Sequence, residues 1–393
     1  MSLLSIPDEL IALRDSVRAF LDREVRPIEE THAKEIHDTG TIAHDRALAE
    51  RRRIRKKSVA AGYYAMHLAE EMGGMGLSLL GSALVREAIG ASGLILAERG
   101  AVVADAEGPM PVLAALDADQ RARYLRPLVR GEIETCFALS EPGAGSDATR
   151  IATRARKVDG GWVVNGHKHF ITNGQHADVI QLFAATDSGD GRAGITFFLV
   201  DADTDGVTVA RQMRTVGADL PAELVFTDVF VPDRNVVGDP GQGFRSAMGW
   251  INDGRVNIAA SVTGSAKLLV DRMVTYARQR ETFGRPIGHY QFVQEHIVSS
   301  AVEVRMVRPL VYEAAHAVDT GDAEARQLAA MAKLAATEMA GRVADRAMQV
   351  FGGAGIDVST GLERYWRDLR ASRVYEGTSE ILKLTVAKTL GLT

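Results

Sequence analysis

The stretch Gly161-Trp-Val-Val-Asn-Gly-His-Lys-His-Phe-Ile-Thr172 decides the fold class of this chain. It carries β-branched and aromatic residues with turn signals at both ends, and so predicts a strand rather than a helix. Val179-Ile-Gln-Leu-Phe-Ala-Ala185, Gly194-Ile-Thr-Phe-Phe-Leu-Val200, Val207-Thr-Val-Ala210 and Leu224-Val-Phe-Thr-Asp-Val-Phe-Val231 follow it. Short strands at such intervals, with Gly, Asp and Asn between them, predict a small antiparallel sheet or barrel over residues 126–240. Asn165-Gly166 is a strong hairpin signal within it.

The flanks read as helical. In residues 1–125, Leu10, Leu13, Val17, Phe20, Leu21 and Val25 recur at helical spacing, Pro7 suits a first turn, and Pro27 marks an end. Asp45 to Ala61 predicts a second helix, and Met72-Gly-Gly-Met-Gly-Leu-Ser78 breaks the pattern before another from about Ser78. In residues 241–393, Asn252 or Asp253 is the expected cap of a helix running to about Glu281. Helical patterns resume over 292–317 and 323–350, and again from about Thr378. Long helices with short connections predict a bundle. The order helices, strands, helices gives a mainly α fold with a central β-domain and argues against a doubly wound sheet.

A chain of 393 residues suggests two or three domains. Its net charge of −5 gives no electrostatic preference for nucleic acid or an anionic membrane surface. The single cysteine, Cys136, excludes an intramolecular disulfide and fits a reducing compartment. The N-terminus lacks a basic segment followed by an apolar one, and no apolar run approaches the ~20 residues of a membrane span, so a cytoplasmic location without membrane insertion is expected. There is no G-x-G-x-x-G after a strand, no Walker loop, no H-E-x-x-H and no paired C-x-x-C, which sets aside a Rossmann cofactor site and a structural zinc. His167 and His169 share a strand face but have no evident third ligand, so no metal is expected. The basic stretch Glu50-Arg-Arg-Arg-Ile-Arg-Lys-Lys57 reads as a solvated helix face; a contact with a ligand's phosphates or a partner is the alternative.

Four segments carry candidate chemistry. In Phe137-Ala-Leu-Ser-Glu-Pro-Gly-Ala-Gly-Ser-Asp147, Gly143 and Gly145 let backbone approach a ligand, and Ser140 and Ser146 can donate to it; a tight surface turn explains the same residues equally well. Arg278-Gln-Arg-Glu-Thr-Phe-Gly-Arg-Pro-Ile287 is by itself a basic helix end, and Gln349-Val-Phe-Gly-Gly-Ala-Gly-Ile356 a helix C-cap. Arg373-Val-Tyr-Glu-Gly-Thr-Ser-Glu-Ile-Leu382 reads as a helix start capped by Thr378 or Ser379, or as a carboxylate held at a loop–helix junction where Gly377 admits a ligand.

Together and in this order, these segments resemble the acyl-CoA dehydrogenase family, and the resemblance covers nearly the whole chain. It implies an N-terminal helical domain (1–125), a middle β-domain (126–240) and a C-terminal four-helix bundle (241–393), assembled as a homotetramer with one FAD per subunit. By that similarity Phe137, Leu139, Ser140, Gly145 and Ser146 would line the flavin, with Ser146 also near substrate, and Phe170 and Thr172 would cover its other side. Arg280, Thr282 and Phe283 would reach a neighbouring subunit's FAD, Gln349 and Gly353 its adenosine half, and Thr378 and Glu380 would also lie near FAD. Asp253, Arg255, Tyr375 and Gly377 would border the acyl-CoA, and Glu376 matches the catalytic base. Phe170 is a departure, since many members have Trp there.

The implied reaction is α,β-dehydrogenation of an acyl-CoA thioester to the trans-2-enoyl-CoA. Glu376 removes the α-proton, flavin N5 takes the β-hydride, and electrons pass to an electron-transfer flavoprotein. A solvated Glu of pKa ~4.3 is too weak a base for this, so expulsion of water and donors on the thioester oxygen are required, each donor worth roughly 3–4 kcal/mol. In the family those donors are the FAD ribityl hydroxyl and the backbone N–H of the base, here Glu376. The alternatives are an oxidase reoxidised by oxygen and a non-catalytic relative that binds nucleic acid; the acidic net charge and the glutamate base weigh against the latter.

Overall fold

The computed structural model describes residues 6–188 and 192–392. Its principal helices are α1 (Asp8–Phe20), α2 (His44–Ala60), α3 (Leu79–Ser92), α4 (Ile251–Gln279), α5 (Gln291–Asp319), α6 (Ala325–Phe351), α7 (Leu362–Ser372) and α8 (Ser379–Thr389). Eight strands lie between α3 and α4: β1 (Thr135–Ala138), β2 (Arg154–Val158), β3 (Gly161–Ile171), β4 (Val179–Ser188), β5 (Arg192–Asp201), β6 (Val207–Gln212), β7 (Ala222–Pro232) and β8 (Val236–Val237). The fold is mainly helical with a central run of strands in the sequence, as the alternation of patterns predicts.

By proximity the chain divides into two compact units. One comprises Met1–Ile54, Leu77–Glu98 and Asn252–Thr393; the other comprises Arg55–Gly76 and Arg99–Ile251. In the first, α3 to α8 enclose a core dominated by small residues. On α6, Ala329, Ala332, Ala336, Ala340 and Ala347 are fully buried, which brings neighbouring backbones close. Gly90 on α3 and Gly264 on α4 mark the tightest approach. An added Cβ would lie 2.3 Å from the Ser261 carbonyl oxygen and 2.1 Å from that of Glu87, respectively. The Ser78 hydroxyl caps α3 by accepting from the Gly81 N–H, as the helix start at Ser78 anticipates.

In the second unit the strand order is β6-β7-β3-β2-β4-β5-β8, with β1 beside β4. The sheet is mixed rather than purely antiparallel, because β1 and β2 both pair parallel to β4. Asn165-Gly166 is not a hairpin turn: β3 runs straight through it. Asp159-Gly160 makes the turn, with Gly160 at φ 70. The Asn165 side chain instead accepts from Asp228 N–H and donates to the Asp228 carboxylate, both at 2.9 Å, across a bulge in the β3–β7 pairing. A glycine is needed at 166 for space, since a Cβ there would lie 2.3 Å from Thr153 Oγ1.

Two helix expectations also change. Pro27 does not end the first helix. The Leu21–Val25 turn is of π type, with the Arg26 N–H bonded to the Leu21 carbonyl, and the helix continues through Arg26–Glu30. Widening the turn just before the proline accommodates its ring and missing N–H. Asn252 and Asp253 lie inside the first turn of α4 rather than capping it.

Candidate active site

In the sheet-bearing unit, the loop after β1 is fixed from beneath. Glu141 is buried, and its carboxylate pairs with Lys168 Nζ at 2.7 Å and accepts from the N–H groups of Ala152 and Thr153. Lys168, wholly buried on β3, also donates to the Leu139 carbonyl at 3.0 Å. Burial pushes the Glu141 carboxyl up, but the Lys168 ammonium and these donors outweigh it and hold the group below the usual carboxylate range. A loop so anchored presents Gly143, Gly145 and Ser146 outward. Added Cβ atoms at Gly143 and Gly145 would meet nothing within 4 Å, so backbone here is open to a ligand.

The neighbouring strand meets this loop: His169 N–H donates to the Ser140 carbonyl at 2.9 Å. The next residue, Phe170, stands 60% exposed at φ 57, a costly conformation for an aromatic residue. Thr172 is exposed beside it, and Phe137 packs on Phe183 and Trp250 with ring centroids 4.8 and 5.6 Å apart. An open glycine-serine loop next to an exposed flat ring fits an isoalloxazine. Phe137 and Leu139 sit beneath as packing residues, Leu139 being 9% exposed. His167 faces Glu223 at 2.6 Å, and no group of three metal-ligating side chains occurs among the described residues.

In the helical unit, Glu376 and Gly377 form the turn between α7 and α8, at φ 52 and 98. Both are left-handed, and only the second is glycine. Thr378 caps α8 by accepting from the Ile381 N–H. Ser379 donates to Glu338 at 2.7 Å, and Arg373 pairs with the same carboxylate at 2.6 Å, so the turn is tied to α6. Glu380 is exposed in the first turn, its carboxyl held low by its own N–H and the Thr378 hydroxyl. Arg255, 6% exposed, reaches the turn from α4: a Cβ on Gly377 would lie 3.6 Å from its Nη2. Burial and Arg326 lower the Arg255 pKa, while Glu376 favours its charge. Tyr375 is half exposed. Asp253, two residues before Arg255, is pushed up to about 6 by burial and by Asp319.

Arg255, Tyr375, Glu376 and Gly377 thus gather around one turn. Arg280, Thr282 and Phe283 occupy a separate hairpin, Glu281–Thr282 with Arg285–Pro286, in which Phe283 is 96% exposed at φ 49. Gln349 and Gly353 are exposed at the C-terminal end of α6. Two cavities contain none of these residues. One of about 210 Å³ is lined by Glu29, Arg272, Arg364 and Tyr365, and one of about 160 Å³ by Arg123, Asp201 and Arg234.

The sequence reading missed Lys333. It lies on α6, wholly buried, and donates to the carbonyls of Tyr375 and Gly377 at 2.5 and 2.7 Å. Its signal was a single lysine within the apolar face Ala329, Ala330, Ala332, Ala336, a position where a charge must have partners. Arg55 was missed as well. Within the basic stretch Arg52, Arg53 and Lys56 are exposed, but Arg55 is buried against Glu134.

Three family models match in order. They are the acyl-CoA dehydrogenase N-terminal domain over residues 7–132, the middle domain over 136–229 and the C-terminal domain over 241–391. The chain belongs to the acyl-CoA dehydrogenase family, FAD-dependent oxidoreductases acting on acyl-CoA thioesters, and has its three-domain architecture. It is 34% identical to the short-chain specific acyl-CoA dehydrogenase of Rattus norvegicus, a match covering 98% of this chain and 90% of the rat protein. It is 33% identical to a 3-(aryl)acrylate reductase of Clostridium sporogenes, covering 96% and 97%. Among solved structures, the FAD complex of PigA superposes with a TM-score of 0.87 at 27% identity over 100% of both chains.

Proposed function

We propose that this chain binds FAD and catalyses α,β-dehydrogenation of an acyl-CoA thioester, with Glu376 as the base. The observation that carries this reading is the turn at Glu376. A carboxylate is held at φ 52 within electrostatic reach of two buried cations, Arg255 and Lys333, and is followed by a glycine at φ 98. A left-handed glutamate costs roughly 1–2 kcal/mol. Such strain persists where the surroundings over-determine it, as they do at functional sites.

When bound, FAD supplies the acceptor for the β-hydride. The chain's own residues do the rest. The exposed Phe170 ring and Thr172 cover one face of the isoalloxazine, while Ser140, Gly145 and Ser146 meet its other side, with Phe137 and Leu139 packed below. Glu376 takes the α-proton onto its carboxylate, and its N–H donates to the thioester oxygen, where negative charge develops. Arg255, Asp253, Tyr375, Gly377 and Ser146 border the substrate, and Thr378 and Glu380 lie toward the cofactor. Arg280, Thr282, Phe283, Gln349 and Gly353 serve a neighbouring subunit's FAD in a homotetramer. Assembly is supported by Phe283 and by an exposed apolar stripe on α5, in which Phe292, Val302 and Met306 are 87, 50 and 70% exposed. The domain divisions at about 125 and 240, a cytoplasmic location and an electron-transfer flavoprotein as acceptor belong to the same reading. No described helix is long and apolar enough to cross a membrane.

The test is an anaerobic absorbance spectrum before and after adding acyl-CoAs, beginning with short chains because the rat relative is named for them. Bleaching by one chain class is the expected result. A flavin spectrum unchanged by every thioester would overturn the reaction, and rapid oxygen uptake with substrate alone would favour the oxidase.

A further inference from the structure

Lys333 is a lysine with no exposed surface, on a buried helix face made mostly of alanine. Its two bonds go to the carbonyls on either side of one residue, Glu376. A peptide unit is planar and trans, and no cis peptide bond occurs among the described residues. A Tyr375 carbonyl turned toward Lys333 therefore turns the Glu376 N–H the opposite way, away from α6. The Gly377 carbonyl, held by the same ammonium, belongs to the Gly377–Thr378 peptide and anchors the chain just beyond the turn. One cation thus holds the peptide before Glu376 and the peptide after Gly377, and the left-handed pair Glu376-Gly377 spans the two anchors.

We propose that Lys333 is a positioning residue for this reaction: by gripping the Tyr375 and Gly377 carbonyls it aims both the Glu376 carboxylate and the Glu376 N–H at the thioester. The proposal rests on Glu376 being the base. Its charge is matched to that task. Burial pulls the ammonium down to about 8 while Glu376 supports it, so it is mostly protonated at neutral pH and can donate to both carbonyls. Lys333 itself touches neither substrate nor proton in this scheme.

The test uses FAD-loaded full-length protein as wild type, Lys333→Met, Lys333→Gln and Glu376→Gln. Two rates are read: flavin bleaching by butyryl-CoA, and exchange of the acetyl-CoA α-hydrogens for deuterium in D2O. Acetyl-CoA has no β-hydrogen, so its exchange requires only a base that takes a proton and returns a deuteron. Misplacement of a reacting group by about 1 Å costs roughly 100-fold. Lys333→Met should therefore lower kcat and the exchange rate together, by about 10- to 100-fold, with KM within about threefold of wild type. Lys333→Gln, which keeps an N–H donor, should fall between. Wild-type exchange in either Lys333 variant, with Glu376→Gln inert, overturns the positioning role alone. Wild-type exchange in Glu376→Gln removes the base assignment instead, as does a wild-type enzyme that neither exchanges nor bleaches. If both Lys333 variants fail to fold or to hold FAD, Lys333 belongs to the fold and the proposal falls.

Discussion

Arg55 Nη1 lies 2.6 Å from Glu134 Oε1, with the two side chains 3 and 4% exposed. The guanidinium also stands over the Tyr64 ring, 5.5 Å from its centroid. Glu134 Oε2 accepts from Asn173, and the Glu134 N–H donates to Asp178. Removing one member of such a pair leaves the other charged and buried, which costs about 3–5 kcal/mol. Arg55→Met should be destabilised by that amount, read as a lower midpoint in chemical denaturation, whereas Arg53→Met, at an exposed position two residues earlier in the same run, should change it by less than about 0.5 kcal/mol. Equal midpoints for the two variants would show that the pair contributes nothing net.

Asp253 gives a pH dependence. Burial and then repulsion from Asp319, which accepts from the Leu79 and Leu80 N–H groups, raise it from 3.8 to about 6. A carboxyl whose folded pKa is raised binds its proton more tightly in the folded state. Its stabilising contribution is therefore full below about 4 and is lost as pH rises through about 6. The loss is on the order of 3 kcal/mol. Asp253→Asn should melt higher than wild type at pH 7.5 and no higher at pH 4. A gain at both pH values, or at neither, would contradict the shift. If Asp253 also serves the CoA arm, the variant gains stability while KM rises, the trade usual at a binding site.

The helix–strand–helix order was legible because hydrophobic period is set locally: β3 and α6 announce themselves in their own residues. The motif at Glu376 was legible through its glycine and cap. Asn165-Gly166 misled because the dipeptide suits any site that needs a small residue with a local side-chain bond, and here the need came from Thr153 and Asp228, distant in sequence. Pro27 misled because a π turn can carry a helix past a proline. Lys333, Arg55 and the Glu141–Lys168 pair were invisible for a common reason. Each is a charge whose partner lies 27 or more residues away, so only the tertiary structure shows it buried.

Gly377 separates backbone strain from space at the turn. The atoms nearest an added Cβ would be Arg255 Nη2, Ile381 Cγ2 and Leu382 Cδ2 at 3.6 to 3.8 Å, ordinary contacts. Its φ of 98 is another matter, since L side chains avoid it. Gly377→Ala should therefore lose roughly 1–2 kcal/mol through strain alone. FAD content should stay at wild-type level while turnover falls, because the strain acts on the peptide next to Glu376. A melting temperature and turnover both at wild-type values would mean that the turn is not rigid.

Glu376→Gln is the sharpest test of the chemistry. The amide has nearly the same shape, keeps the turn and the Glu376 N–H, and removes only the ability to accept a proton as a carboxylate. General-base catalysis contributes about 10²–10⁴, so the reductive half-reaction should slow at least a hundredfold. Flavin absorbance and thioester binding, measured by the perturbation of that absorbance on adding substrate, should be kept. Loss of flavin in this variant would mean that Glu376 acts on the fold, through Arg255 and Lys333, rather than on the substrate. Retention of flavin with normal bleaching would move the base to another residue. The helix that begins at Ile251 offers Asp253, with its pKa near 6, as the next carboxylate to replace.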